Sequence, residues 1–132
     1  MCTVSDEVRR AIDRFWKTMG TNDFGAVGEL LHDDFVLDWP QTHERFRGRA
    51  SFVAVNAHYP AAGLWRFTIN RLVAGEGEGV SDVTVTDGVR VDRAISFFEL
   101  RDSRIWRLTE YWPEDGDAPA WRSRWVERGD TN

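Results

Sequence analysis

The sequence predicts an α+β domain in which a curved, mainly antiparallel sheet wraps around N-terminal helices and leaves a cone open at one end. Three observations carry this expectation. The chain opens with helical periodicity, it finishes with successive alternating strands separated by turn signals, and no repeat or linker divides the two parts. At 132 residues it reads as one domain, able to bury roughly two-thirds of its unfolded surface.

Val8, Ala11, Ile12, Phe15, Trp16 and Met19 recur at helical spacing and form the apolar face of a first helix. Ser5 is its expected N-cap, Asp6 and Glu7 complement the helix dipole, and Gly20 closes it. A shorter second helix starts at Asn22 or Asp23 and uses Phe24, Val27, Leu30 and Leu31. Gly25 and Gly28 each weaken it by about 1 kcal/mol relative to alanine, so it depends on packing. Residues 35–39 read as a strand stopped by Pro40, and the polar stretch 41–47 as a turn or short hairpin. Phe52, Val55, Asn56 and Tyr59 mark a third helix that begins after Gly48 and ends at Pro60. Beyond it, residues 65–73, 80–86, 89–100 and 105–112 form a four-strand meander, with Asp87-Gly88 and Asp102-Ser103 as turns. Asp117 and Pro119 open a short terminal helix whose Trp121 and Trp125 fold back over an apolar surface, with the cone's mouth or a dimer partner as the alternative places for them.

Composition removes several classes of function. A net charge of −5 argues against a nucleic-acid partner, because phosphate binding needs a basic face. The basic residues, all arginine except Lys17, are interleaved with acids and read as solvated faces. Cys2 is the only cysteine, which rules out an intrachain disulfide and fits a cytoplasmic protein. No apolar run reads as a signal peptide or as a membrane span. Residues 75–79 alternate glycine with glutamate and precede a strand, so they are not a phosphate loop. His32, His43 and His58 share no ligand spacing, and no metal is expected. Seven tryptophans and eight phenylalanines exceed what a small core needs, and aromatic walls are typical of ligand cavities.

Chemistry concentrates on the last strand. Trp106, Leu108, Glu110 and Trp112 alternate onto one face, which threads a carboxylate among apolar side chains. Burial there raises a carboxyl pKa and suits it to acid/base work on a small organic molecule. The competing roles for Glu110 are a structural pair with a buried arginine and a rim position open to water. Asp38 falls on the face opposite Phe35, Leu37 and Trp39, where an arginine such as Arg66 is its expected partner. His43, in the polar turn after the first strand, is placed to shuttle a proton at the cone's mouth. Asp82 shares a strand face with Thr84 and Thr86. Trp16, Trp39, Tyr59, Trp65 and Trp112 are the candidate cavity wall, with core packing as the alternative for each.

The two-helix start followed by residues 35–40, Gly48 opening the third helix, and Ser96-Phe97-Phe98-Glu99 carry a resemblance, and residues 104–113 (Arg-Ile-Trp-Arg-Leu-Thr-Glu-Tyr-Trp-Pro) carry it most strongly. The chain resembles the SnoaL-like, polyketide cyclase-like branch of the nuclear transport factor 2-like superfamily along nearly its whole length. The resemblance implies that superfamily's cone, a cystatin-like half-barrel, and a homodimer. It does not select an activity, because the superfamily includes cyclases, ketosteroid isomerases, epoxide hydrolases, dehydratases and members without catalysis. In the epoxide hydrolases the last strand carries an acid–aromatic–aromatic stretch whose acid is catalytic, and Glu110-Tyr111-Trp112 matches it. Those enzymes also place an arginine and an aspartate two apart on a middle strand; Ser81-Asp82-Val83 occupies that region and matches only at Asp82. In the ketosteroid isomerases the base directly precedes a proline at the end of the first strand. Here Trp39 precedes Pro40, and Asp38 lies one residue, hence one face, away.

The expected protein is a small enzyme with no metal or organic cofactor, acting on a hydrophobic small molecule by proton transfer, as in isomerisation, cyclisation, dehydration or hydrolysis. Glu110, His43 and Asp38 are the catalytic candidates, and Trp16, Trp39, Tyr59, Trp65, Trp112 and Asp82 the substrate-binding ones. The alternatives are a non-catalytic small-molecule-binding module and a dimeric structural domain. No nucleic-acid or membrane partner is expected.

Overall fold

The computed structural model describes residues 3–129, so Cys2 lies outside the described residues. Helix α1 (Val4–Met19) starts before the expected Ser5 cap. Thr3 Oγ1 accepts the Asp6 N–H at 3.1 Å while the Asp6 carboxylate accepts the Thr3 N–H at 3.2 Å, and this reciprocal pair satisfies two orphan donors at once. Asp23 caps the short helix α2 (Phe24–Gly28) through the Ala26 N–H. The two glycines leave α2 too weak to extend to Leu31, which instead begins strand β1 (Leu31–Trp39). A single 3-10 turn at Pro40–Thr42 leads into β2 (Glu44–Arg47), which forms a hairpin with β1. Helix α3 (Gly48–His58) follows, then β3 (Arg66–Ala74), β4 (Glu78–Thr86), β5 (Val91–Arg101) and β6 (Arg104–Tyr111).

The six strands form one sheet in the order β2-β1-β6-β5-β4-β3. Every pairing is antiparallel except β1 with β6. The first strand thus docks against the last and brings the end of β1 beside the end of β6. Bulges curve the sheet. On β3 the register passes from Ile69 opposite Val83 to Arg71 opposite Asp82, leaving Asn70 as the extra residue. On β6 it passes from Ile105 opposite Leu100 to Arg107 opposite Glu99, leaving Trp106 extra.

The second bulge corrects a sequence expectation. Strict alternation puts Trp106 on the face of Leu108 and Glu110, but the inserted residue turns Ile105 inward to 1% exposure and carries Trp106 away. The indole of Trp106 instead lies between two guanidinium groups, with Arg101 Cζ 3.8 Å and Arg107 Cζ 4.6 Å from its ring centroid.

Helix α1 lies in the concave face of the sheet. Val8, Ile12, Phe15, Trp16 and Met19 pack there with Val83, Val85, Ala94, Phe98, Ile105 and Leu108, and Phe52 of α3 joins from the side. Gly79 permits the closest approach of helix and sheet, since a Cβ there would stand 2.7 Å from Ile12 Cδ1 and 2.9 Å from Val8 Cγ1. The terminal indoles do not fold back. Trp121 and Trp125 sit on a 3-10 segment (Ala120–Trp125) at 74% and 70% exposure, because the preceding polar residues 114–117 supply no apolar contact that would draw the chain inward. Among the described residues no helix is long and apolar enough to cross a membrane.

Candidate functional site

The parallel pairing of β1 with β6 and the antiparallel pairing of β5 with β6 converge on Glu110. Ser96 stands directly opposite it on β5, and Trp39 ends the neighbouring strand β1. Glu110 is 6% exposed. Its Oε2 accepts the Ser96 hydroxyl at 2.8 Å and its Oε1 accepts the Trp39 indole N–H at 3.2 Å. Among the described residues no cation pairs with it, so the structural ion pair considered from sequence is not formed. Burial pushes the carboxyl pKa up, and the hydrogen bonds from Ser96 and Trp39 offset part of that rise.

Glu110 lines a cavity together with Trp16, Trp39, Tyr59, Trp65 and Trp112. Phe15, Phe24, Phe52 and Phe67 complete the wall. Their inward positions follow the ordinary core periodicity, so nothing in the sequence separated them from packing residues. The hollow opens to solvent on one side, and its inner space is about 40 Å³, room for a few waters, so a larger molecule that enters fully must displace side chains at the mouth. Tyr59 is the most exposed of the wall aromatics and stands edge-on to Trp39 at 6.3 Å and Trp65 at 5.9 Å. A second polar contact fixes the far wall, where the Trp16 indole N–H donates to the buried Ser81 hydroxyl at 2.9 Å. Ser81 lies opposite Ser96 in the sheet, so the two serines back the cavity side by side.

The other sequence candidates fall elsewhere. Asp38 faces outward, and Arg45 grips it through Nε at 2.6 Å and Nη2 at 3.0 Å, which holds its carboxyl below the usual range. Arg45 is its partner rather than Arg66, because Arg45 lies directly opposite on β2 while Arg66 is on β3, at the far edge of the sheet. Asp82 also faces outward, 2.9 Å from Arg93 Nε. His43 is exposed in a left-handed turn (φ 58°) and is not part of the cavity wall.

Three polar lining residues are not among the site candidates of the sequence: Asn56, which it places on the third helix, and Arg90 and Asp92. Arg90 and Asp92 form an ion pair at 3.3 Å, with the Arg90 guanidinium 5.9 Å from the Tyr59 ring. Their spacing of two is the arginine–aspartate pattern sought at residues 81–83, but it stands at the start of the next strand. Asp92 lies four residues along β5 from Ser96, the partner of Glu110, which is roughly 13 Å at strand rise. The pair therefore belongs to a different part of the cavity from the buried carboxylate. Asp87 builds the same region. Its carboxylate accepts the N–H groups of Ala62 at 2.9 Å, Val89 at 3.0 Å and Arg90 at 2.8 Å, which lower its pKa to about 2 and tie the loop after α3 to the β4–β5 turn.

A curved sheet closed around an N-terminal helix, with an aromatic hollow at its open end, defines the cone-shaped class to which nuclear transport factor 2-like proteins belong. The SnoaL-like domain matches residues 12–108, and the chain belongs to that family. Glu110 and Trp112 lie just past the matched span. A candidate ketosteroid isomerase from Kribbella flavida superimposes with a TM-score of 0.90 at 30% identity, over 98% of this chain and 94% of that one. A nuclear transport factor 2-like protein of unknown function from Burkholderia xenovorans gives 0.78 at 28%, over 95% and 97%. An epoxide hydrolase from M. tuberculosis gives 0.69 at 22%, over 84% and 86%, and shows the shared fold. No curated protein matches the sequence.

Proposed function

We propose that this protein binds an apolar, ring-containing small molecule in the aromatic cavity and moves a proton on it with Glu110. The observation that carries the reading is a carboxyl group buried in an aromatic wall, held by two neutral donors and, among the described residues, by no cation. Each donor occupies one lone pair of a carboxylate oxygen, and a further lone pair on each remains for a substrate proton. The raised pKa brings the group closer to neutral pH, where a general base or acid is most effective. Ser96 and Trp39 fix the carboxylate plane, and the indoles hold the substrate rings. Among the named relatives, a ketosteroid isomerase is consistent with proton transfer of this kind. The strand-end position that carries the base in that family is Trp39 here, so β6 supplies the acid in place of β1.

The test uses a simple carbon acid that fits an aromatic slot, such as 2-tetralone. Quenching of tryptophan emission measures its binding, and NMR follows deuterium exchange at its activated carbon. Glu110→Gln keeps the shape and should lower exchange by roughly 10²- to 10⁴-fold with binding retained. Equal exchange by both proteins would refute the role of Glu110. Binding without exchange in the wild type would favour a non-catalytic carrier.

A homodimer is part of the same proposal. The outer sheet face exposes Phe97 at 48% and Tyr111 at 40%, their rings edge-on at 6.2 Å, with Val73 beyond them at 55%. A contiguous apolar patch of this kind suits a second copy.

A further inference from the structure

We propose that residues 113–128 form an arm that clamps a second copy of the chain, laying Trp121 and Trp125 on that copy's outer sheet face. The inference rests on the pairing of two copies proposed above and adds the element that holds them.

The arm is bare on its own protomer. Trp121, Trp125 and Val126 are 74%, 70% and 47% exposed, and among the described residues no hydrogen bond joins positions 113–129 to the rest of the chain. Two indoles exposed to this extent leave roughly 300 Å² of aromatic surface in water. Arg122 and Arg124 stack on Trp121 and Trp125 at 6.0 and 5.0 Å, and an arginine covers only one face of an indole.

Its own cavity is a poor destination. The Trp112 N–H donates to Gln41 Oε1 and Pro113 follows directly, which fixes the direction in which the arm leaves the sheet. Pro119 stiffens it further on. The outer face of a second copy is complementary in both apolarity and charge. One register row across that face runs Val73, Val80, Phe97, Thr109, and the next places Ile95 beside Tyr111. On that face Asp38 is held by Arg45 and Asp82 by Arg93, which leaves Arg47, Arg71 and Arg107 without a direct ion pair among the described residues, although Asp38 acts on Arg47 and Arg107 at longer range. Arg107 Nε is buried without a hydrogen bond. The first part of the arm carries Glu114, Asp115 and Asp117 and no basic residue. Acids near the arm's root thus meet a face on which arginines outnumber acids, and the indoles beyond them meet the aromatic row.

Sedimentation equilibrium tests this on the full chain, comparing the wild type with Trp121→Ala/Trp125→Ala and with Phe97→Arg. All these side chains are exposed, and circular dichroism checks that each variant keeps the fold. Labelling with 5-fluorotryptophan lets ¹⁹F NMR follow the two arm indoles on dilution. The expected result is a wild-type dimer, a dissociation constant at least tenfold weaker in the double variant, and arm resonances that shift as the dimer dissociates. A double variant that dimerises like the wild type, with Phe97→Arg monomeric, would overturn the arm and leave the pairing standing. A wild type that stays monomeric would overturn both. Shielded indole resonances that ignore concentration would place the arm on its own chain and overturn the proposal.

Discussion

Replacing Ser96 by alanine removes a single hydroxyl and tests the central electrostatic claim. Ser96 is fully buried and donates to Glu110 Oε2 at 2.8 Å. A hydrogen bond to an ionised acceptor contributes about 1.5–3 kcal/mol, while one between neutral groups contributes about 0.5–1.5 kcal/mol. The variant therefore loses more when Glu110 is charged than when it is protonated, and the proton affinity of Glu110 rises. The folded-state pKa of Glu110 already lies above its unfolded value, so its contribution to stability is present below the unfolded pKa and is lost as pH rises through the folded pKa. Ser96→Ala should move that loss to higher pH. Urea unfolding on either side of the transition should show a destabilisation of about 1.5–3 kcal/mol above it and about half that below it. The indole N–H resonance of Trp39, bonded to the other carboxylate oxygen, reports the titration directly. A midpoint that stays in place or falls, or an equal destabilisation on both sides, would refute the reasoning.

Four further outcomes follow from the same geometry. Glu110→Gln removes the cost of burying a charge, so the variant should gain on the wild type by up to about 1.4 kcal/mol per pH unit as pH rises towards the folded pKa, measured by denaturant unfolding. Gly79→Ala forces a Cβ against Ile12, Val8 and the Val73 carbonyl and should cost about 1–3 kcal/mol in thermal or urea unfolding. Asp87 has a folded pKa of about 2 against 3.8, so its contribution is present above pH 4 and fades as pH falls towards 2. Asp87→Ala should lower Tm near neutrality and flatten the acid limb of the stability curve, while Asp38→Asn, on the outer face, should leave deuterium exchange by Glu110 unchanged.

Much of the architecture was legible in the chain because local rules repeat along it. Helical spacing from Val8 to Met19, alternation in the four late strands, and Asp87-Gly88 and Pro40 as punctuation all concern neighbours a few residues apart. The same alternation puts Glu110 on an inward face, and all five aromatic candidates stand with it around one cavity. Trp106 was misplaced because a bulge depends on how two strands pair, and a single inserted residue inverts every face before it. Asp38 pairs with Arg45 and not with an arginine such as Arg66 for a related reason: strand order decides which residue lies opposite, and β1 pairs with β2 and β6 rather than with β3. Arg90 and Asp92 drew no attention because their significance comes only from Tyr59 and Trp65, more than twenty residues earlier in the chain. Sequence alone determined most of the elements and the inward carboxylate, since both follow from the spacing of near neighbours. Tertiary structure decided what surrounds that carboxylate, because Ser96 and Trp39 reach Glu110 only through hydrogen-bonded pairing between strands distant in the chain.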